Sequence, residues 1–165
     1  MDMIKENGIK ICHTVNWDES DDYLLFLKQI GLDWVCLGLG DFDFREPSHS
    51  ALLKVQKRFN DFSLRIFSAS YLLYRSLDIQ LGRPGRDEAI DKYCRFIRSI
   101  GRLGIPVAPY DFHPGNTYTT AMVETERGYI AREFDVKVFR EEVEEQRFER
   151  EYGADEIWEN YTYFV

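Results

Sequence analysis

The 165-residue sequence predicts an α/β fold of parallel βα repeats, and three observations carry the prediction. Short runs rich in β-branched and aromatic residues alternate strictly with stretches of helical periodicity. The short runs are mostly apolar from end to end, as strands covered on both faces by crossover helices must be. The links are also unequal. Each helix passes into the next strand through one to three residues (Gly31-Leu32, 61–63, Gly104). Each strand passes into the next helix through a long segment (40–47, 71–86, 113–135). Length is therefore concentrated at the carboxyl ends of the strands, the ligand face of barrels and open α/β sheets alike.

The elements follow in order. Residues 9–15 (IKICHTV), 33–39 (DWVCLGL), 64–70 (LRIFSAS) and 105–112 (IPVAPYDF) read as the four strands. Between the first two, Tyr23, Leu24, Phe26, Leu27 and Ile30 recur at helical spacing behind an acidic first turn (Asp18, Glu19, Asp21, Asp22), which suits the positive end of a helix. Gly31 stops that helix. Ala51, Leu52, Val55 and Phe59 mark the second, opened by Pro47 and capped by Ser48. Ala89, Ile90, Tyr93, Phe96, Ile97 and Ile100 mark the third, closed by Gly101 and Gly104. Residues 135–152 predict a charged amphipathic helix with Val138, Phe139, Val143 and Phe148 inside, broken by Gly153. A last helix begins at 154, where Asp155 can cap it, and carries Ile157, Trp158, Tyr161, Tyr163 and Phe164 up to Val165 with no terminator. Four units of ~30 or more residues make half of a TIM (β/α)8 barrel, which needs ~250. Residues 1–165 thus read as one truncated (β/α)4 half-barrel, the N-terminal half, with its last helix cut off.

Composition narrows the function. Acidic residues outnumber basic ones 29 to 21, a net charge of −8, which argues against a general nucleic-acid binder. No run approaches the ~18 apolar residues of a membrane span. Cys12, Cys36 and Cys94 are odd in number and widely spaced, which speaks against a disulfide scaffold or a zinc knuckle. Residues 1–10 carry charges and no apolar signal core, so the expected compartment is the cytoplasm. The 12 Phe and 10 Tyr exceed what such a core needs, and some are expected to line a cavity or an interface.

Three pieces of the sequence resemble one family. Arg86-Asp87-Glu88-Ala89-Ile90-Asp91-Lys92-Tyr93, then Phe96-Ile97-Arg98 and Gly104-Ile105-Pro106-Val107, look like the third helix and fourth strand of mannonate dehydratases. The following loop (Tyr110, Pro114, Thr120, Arg127-Gly128, Arg132-Glu133-Phe134-Asp135) and the ending Asp155-Glu156-Ile157-Trp158-Glu159-Asn160-Tyr161-Thr162-Tyr163-Phe164 are similar too. The resemblance covers the second half of the chain well and the first half in outline. It implies a TIM barrel of the xylose-isomerase-like superfamily that dehydrates D-mannonate to 2-keto-3-deoxygluconate with a divalent metal, usually manganese. The family's metal ligands (His, Cys, Asp) come from later strands, so none is expected before Val165 and the chain alone is expected to be inactive. The first strand departs from the family, carrying Cys12-His13-Thr14 in place of an Arg-Trp pair. Another sugar or sugar-acid isomerase or epimerase of the superfamily therefore stays open. So does a non-catalytic α/β domain that completes its sheet by self-association, as a homo-oligomer or with a missing C-terminal half.

The candidate substrate-binding residues are His13, Tyr110, His113 and Arg127. His13 reads as a polar group at the floor of a sugar site, or equally as a core histidine bonded to a backbone carbonyl. His113 directly follows the fourth strand, beside Tyr110 and Asp111, where it would hydrogen-bond a substrate hydroxyl or carboxylate; the bland alternative is a residue shaping the turn before Pro114. Arg127 lies in the long last loop with Arg132, and the family resemblance singles it out. Arg75, Arg83 and Arg86 suit a carboxylate ligand by their bidentate fork, or are solvated loop charge. Asp41 and Asp43 could share a cation or sugar hydroxyls, but read first as turn residues, and His49 reads as surface.

Overall fold

A computed structural model describes residues 9–40, 48–115, 119–142 and 148–165. Three parallel strands form the body in the order β1-β2-β3: β1 (Cys12–Asn16), β2 (Trp34–Gly38) and β3 (Arg65–Ser70). Cys12 lies opposite Trp34 and Trp34 opposite Arg65, so the register runs straight across the sheet. β3 carries one extra residue between the partners of Val35 and Cys36, a bulge at Phe67. Phe67 meets Trp34 edge-on at 6.1 Å, and the Arg65 guanidinium stacks on the same indole at 3.8 Å.

Helices α1 (Asp21–Gln29), α2 (His49–Asp61) and α4 (Arg86–Arg102) cover one face of this sheet, each reached by a local signal read from the sequence. Ser20 Oγ accepts from the Tyr23 amide and Ser48 Oγ from the Ala51 amide, two N-caps that occupy donors left over in a first helical turn. Gly104, at φ 74°, turns the chain from α4 into the next run within a residue, in a conformation that side chains with a Cβ disfavour. Val15, Val35, Leu37, Ile66 and Ala69 point at the helices and are buried against Leu24, Leu27, Leu52, Val55, Phe59, Phe96 and Ile100. The other face is small and polar over most of its length, with Cys12, Thr14 and Asn16, then Cys36 and Gly38, then Ser68 and Ser70, and carries Trp34 with Arg65 and Phe67 at its amino end. The expectation of strands buried on both faces therefore fails for β1, where His13, Thr14 and Asn16 are exposed.

The fourth run joins the sheet, but not as a full strand. Ser68 and Val107 form a single parallel bridge, with the Ala69 amide donating to the Val107 carbonyl at 3.0 Å. Pro106 and Pro109 flank that bridge and lack the N–H groups a ladder requires.

Beyond β3 the chain makes a short 3-10 turn (Leu72–Arg75) and a one-turn helix α3 (Leu77–Gln80). The long last connection, expected to be loop over 113–135, holds an antiparallel hairpin, β4 (Ala121–Glu124) with β5 (Ile130–Glu133). Of the helix expected over 135–152, the described residues show α5 over Val136–Glu142, while residues 148–152 are not helical, which corrects that expectation at its carboxyl end. α6 (Ala154–Phe164) follows Gly153, with Asp155 and Glu156 in its first turn. Asp41, Asp43 and Pro47 lie outside the described residues.

α6 is fastened to the body at one tight point. Asn160 is buried, its amide nitrogen facing the Gln80 carbonyl at 3.5 Å. Gly82 sits beneath it at φ 65°, where an added Cβ would come within 2.5 Å of Asn160 Oδ1. Gly82→Ala is expected to cost about 1–3 kcal/mol, the sum of left-handed strain and overpacking, and to disturb the aromatic near-UV signal of α6. A urea titration followed by circular dichroism measures both.

A second tie is electrostatic. Arg83 Nε donates to Glu149 Oε1 at 3.0 Å, its terminal nitrogen pairs with Oε2, and the Tyr152 hydroxyl donates to the same carboxylate. The guanidinium first, then the phenol, push the Glu149 carboxyl down to about 2. A depressed carboxyl stabilises fully above its unfolded value of about 4.3, and the contribution is lost as pH falls toward the folded value. The 148–152 segment is therefore expected to loosen between pH 4.5 and about 2. A shift of the Tyr152 ring resonances over that window, absent in Arg83→Gln, checks this; because the pair is exposed, global stability should change little.

Candidate functional site

Three polar side chains meet where the chain leaves the carboxyl ends of β3 and of the fourth run. Arg75 closes the 3-10 turn after β3, and Asp111 and His113 follow the fourth run. Arg75 Nε lies 3.2 and 3.1 Å from the two Asp111 carboxylate oxygens, and its terminal nitrogen lies 2.5 Å from Oδ2. His113 Nδ1 lies 3.1 Å from Asp111 Oδ1. All three side chains are roughly one-third exposed, at 36%, 34% and 38%, so the cluster is reachable yet only partly hydrated. The hydrogen bond to Asp111 raises the Arg75 guanidinium further above its ordinary value, which leaves it permanently charged. Asp111 is thus a carboxylate with its charge offset on one side and an imidazole on the other.

Beside the cluster lies a cleft of about 660 Å³ between residues 110–112 and α6, walled by Tyr110, Phe112, Ile157, Trp158 and Tyr161. The Tyr110 and Tyr161 hydroxyls are 3.3 Å apart, and that contact raises the Tyr110 phenol above its ordinary value. Phe112 meets Tyr161 at 5.3 Å, and Tyr110 meets Phe164 at 5.7 Å. Part of the surplus of aromatic residues is accounted for here.

The structure brings together two of the four candidate binding residues, Tyr110 and His113, on either side of Asp111. His13 sits elsewhere: it shares the helix-facing side of β1 with Val15, is exposed, and its Nε2 lies 2.9 Å from the Tyr23 hydroxyl of α1. Arg127 occupies the tip of the β4–β5 hairpin, exposed, where the Gly128 amide donates to the Thr125 carbonyl at 2.8 Å. Among the described residues no contact joins it to the cluster. Of the other arginines, Arg83 pairs with Glu149, and Arg86 stacks on Tyr163 at 3.6 Å. His49 begins α2 on the surface. The pairing of Arg75 with Asp111 spans 36 positions and has no local sequence signal.

Among the described residues no three His, Cys, Asp or Glu side chains group to hold a metal ion. Asp111 and His113 offer two donors, but the guanidinium already bound to Asp111 carries the charge a cation would bring. These residues do not fit a divalent metal.

Comparison with known proteins agrees with this architecture. A solved mannonate dehydratase from Streptococcus suis serotype 2 superposes with a TM-score of 0.75 at 20% identity, covering 96% of this chain and 48% of that one. The chain thus spans about half the length of that relative, and its fold is the N-terminal half of a TIM barrel. The mannonate dehydratase of Streptococcus pneumoniae (strain 70585) is 51% identical over 37 residues, 22% of this chain and 10% of its own length. That of Streptococcus equi subsp. zooepidemicus (strain MGCS10565) is 49% identical over 37 residues, again 22% and 10%. The family model described as D-mannonate dehydratase (UxuA) matches residues 52–164, from α2 to the last residue of α6 and so well over half of the sequence, and the chain belongs to that family.

Proposed function

We propose that this chain forms the substrate-binding half of a D-mannonate dehydratase, with Tyr110 and His113 contributing to the sugar-acid site. The observation that carries the reading is the Arg75–Asp111–His113 cluster, placed at the carboxyl ends of the strands in a chain of this family. Barrel enzymes keep their chemistry at that end. The reaction removes the proton beside the carboxylate and the neighbouring hydroxyl as water, and the resulting enol becomes 2-keto-3-deoxygluconate. A polyol acid presents hydroxyl donors and acceptors, which an imidazole and a phenol can match one for one. Arg75 fixes Asp111 with its carboxylate 3.1 Å from His113 Nδ1, which sets an acceptor beside the imidazole before a ligand arrives. In this reading a divalent metal, manganese, is held by donors other than the described residues, and the protein works in the cytoplasm. Arg127 and His13 remain candidate contacts only if the hairpin and the edge of β1 approach the bound ligand.

Two outcomes are expected. D-mannonate at millimolar concentration should shift the backbone resonances of Tyr110, Asp111 and His113, and His113→Ala should weaken the titration about tenfold, as loss of one hydrogen bond to a polar ligand does. Shifts confined to other regions would overturn the placement of the site. The chain with added manganese should release no 2-keto acid above background. Turnover in a metal titration would show that the donors lie within it.

A further inference from the structure

We infer that Asp111 is a placeholder on Arg75, and that the carboxylate of a sugar-acid ligand displaces it, so that Arg75 receives the acid end of the ligand. The inference rests on the reading of Tyr110 and His113 given above, and assigns the charged end of the ligand where those two residues take hydroxyls. An ionised carboxyl is acceptor-only, and its strongest side-chain partner is the planar fork of a guanidinium. Three arginines follow β3 before α4 begins its second turn. Arg83 is committed to Glu149, and Arg86 to the Tyr163 ring and, at 3.4 Å, to Asp87. Arg75 alone of the three faces the fourth run. There its fork is filled by a carboxylate of the chain itself, with both Asp111 oxygens within 3.2 Å of Nε.

The two partners are held unequally. Arg75 leans on its own element: its guanidinium lies 5.7 Å from the centre of the Tyr74 ring, and Tyr74 is buried, packed edge-on against Tyr93 at 5.8 Å. Asp111 hangs on a looser backbone. Past the bridge at Val107, no backbone hydrogen bond among the described residues holds 108–112, and Pro109 has no N–H to give. Asp111 also has a second partner to keep. His113 Nδ1 lies 3.1 Å from Oδ1, so a turn of the side chain gives up Arg75 and retains the imidazole. The guanidinium is the fixed receptor and the carboxylate the member that moves.

Exchange is then like for like. One charge-assisted pair replaces another, and the charge on Arg75 is never left bare. A neutral polyol has no such route, because its hydroxyl would replace charged bonds with weaker ones. Among the described residues, Asp111 is also the one charged side chain lining the cleft beside it. An anionic ligand lodged there meets repulsion until Asp111 turns away. The pair therefore turns away uncharged sugars with the same hydroxyls, and admits sugar acids at a cost in affinity.

NMR titrations of the full chain with D-mannonate, and with D-mannitol as the neutral polyol, test the exchange. D-mannonate should move the Asp111 carboxyl carbon to the position it holds in ligand-free Arg75→Gln, and D-mannitol should leave it in place. Asp111→Asn keeps an acceptor for His113 and removes the competing charge, so it should bind D-mannonate ~10-fold more tightly and D-mannitol as before. Arg75→Gln should bring D-mannonate down to the level of D-mannitol. Circular dichroism should be the same for all three chains, since the pair is partly exposed. D-mannonate that shifts Tyr110 and His113 while the Asp111 carboxyl stays put, or that binds Asp111→Asn no more tightly, overturns the exchange and leaves the binding site standing. If neither ligand shifts Tyr110 or His113 in any of the three chains, the exchange and the site are both overturned.

Discussion

A parallel strand can pair with its successor only after the chain has crossed back over the sheet, so each step from strand to strand must carry a connecting element. In this molecule that return is made by α1, α2 and α4, all on one side. One face of the sheet therefore holds nearly all the large apolar side chains, from Val15 and Leu37 to Phe59 and Phe96. The same constraint sends every helix back toward the amino ends of the strands. The short links fall there and the long ones at the opposite end, where Arg75, Asp111 and His113 collect. The site is a by-product of how a parallel ladder must be wired.

The prolines of the fourth run adjust that wiring. Pro106 and Pro109 limit pairing with β3 to the single bridge at Val107, and the backbone past that point is not bound to a ladder. Tyr110, Asp111 and His113 consequently leave the sheet early enough for Asp111 to meet Arg75 across the gap. A fully paired strand would keep its residues alternating between the two faces. Here three residues close in sequence line one cleft and one charged cluster.

Where local chemistry decided the structure, the sequence was legible. Ser48 caps the helix that its position announced, and Gly31 and Gly104 end elements where a positive φ is needed. The three ladder strands follow from their apolar runs. Competition was harder to read. The 105–112 run is apolar enough for a strand, but its prolines veto most of the ladder. The run after Asp135 is periodic enough for one long helix, but residues 148–152 are not helical. The β4–β5 hairpin lacks a clean alternation, since Met122 and Ile130 are both exposed. At the site, Tyr110 and His113 were visible because they adjoin a strand end. The bond between Arg75 and Asp111 was not, because nothing in either neighbourhood specifies a partner 36 residues away.

The bulge in β3 gives the sheet its lever. One side of the β2–β3 junction is a residue longer than the other, so the ladder must bend there and the local twist increases. Trp34 wedges that bend from one side, with Phe67 against its edge and Arg65 across its face. The 105–112 run leaves β3 one strand away from this packing, and the cleft beside Tyr110 lies along it. A smaller side chain at Trp34 is expected to act at a distance, changing the bend of the sheet and with it the mouth of the cleft without touching any residue that lines it.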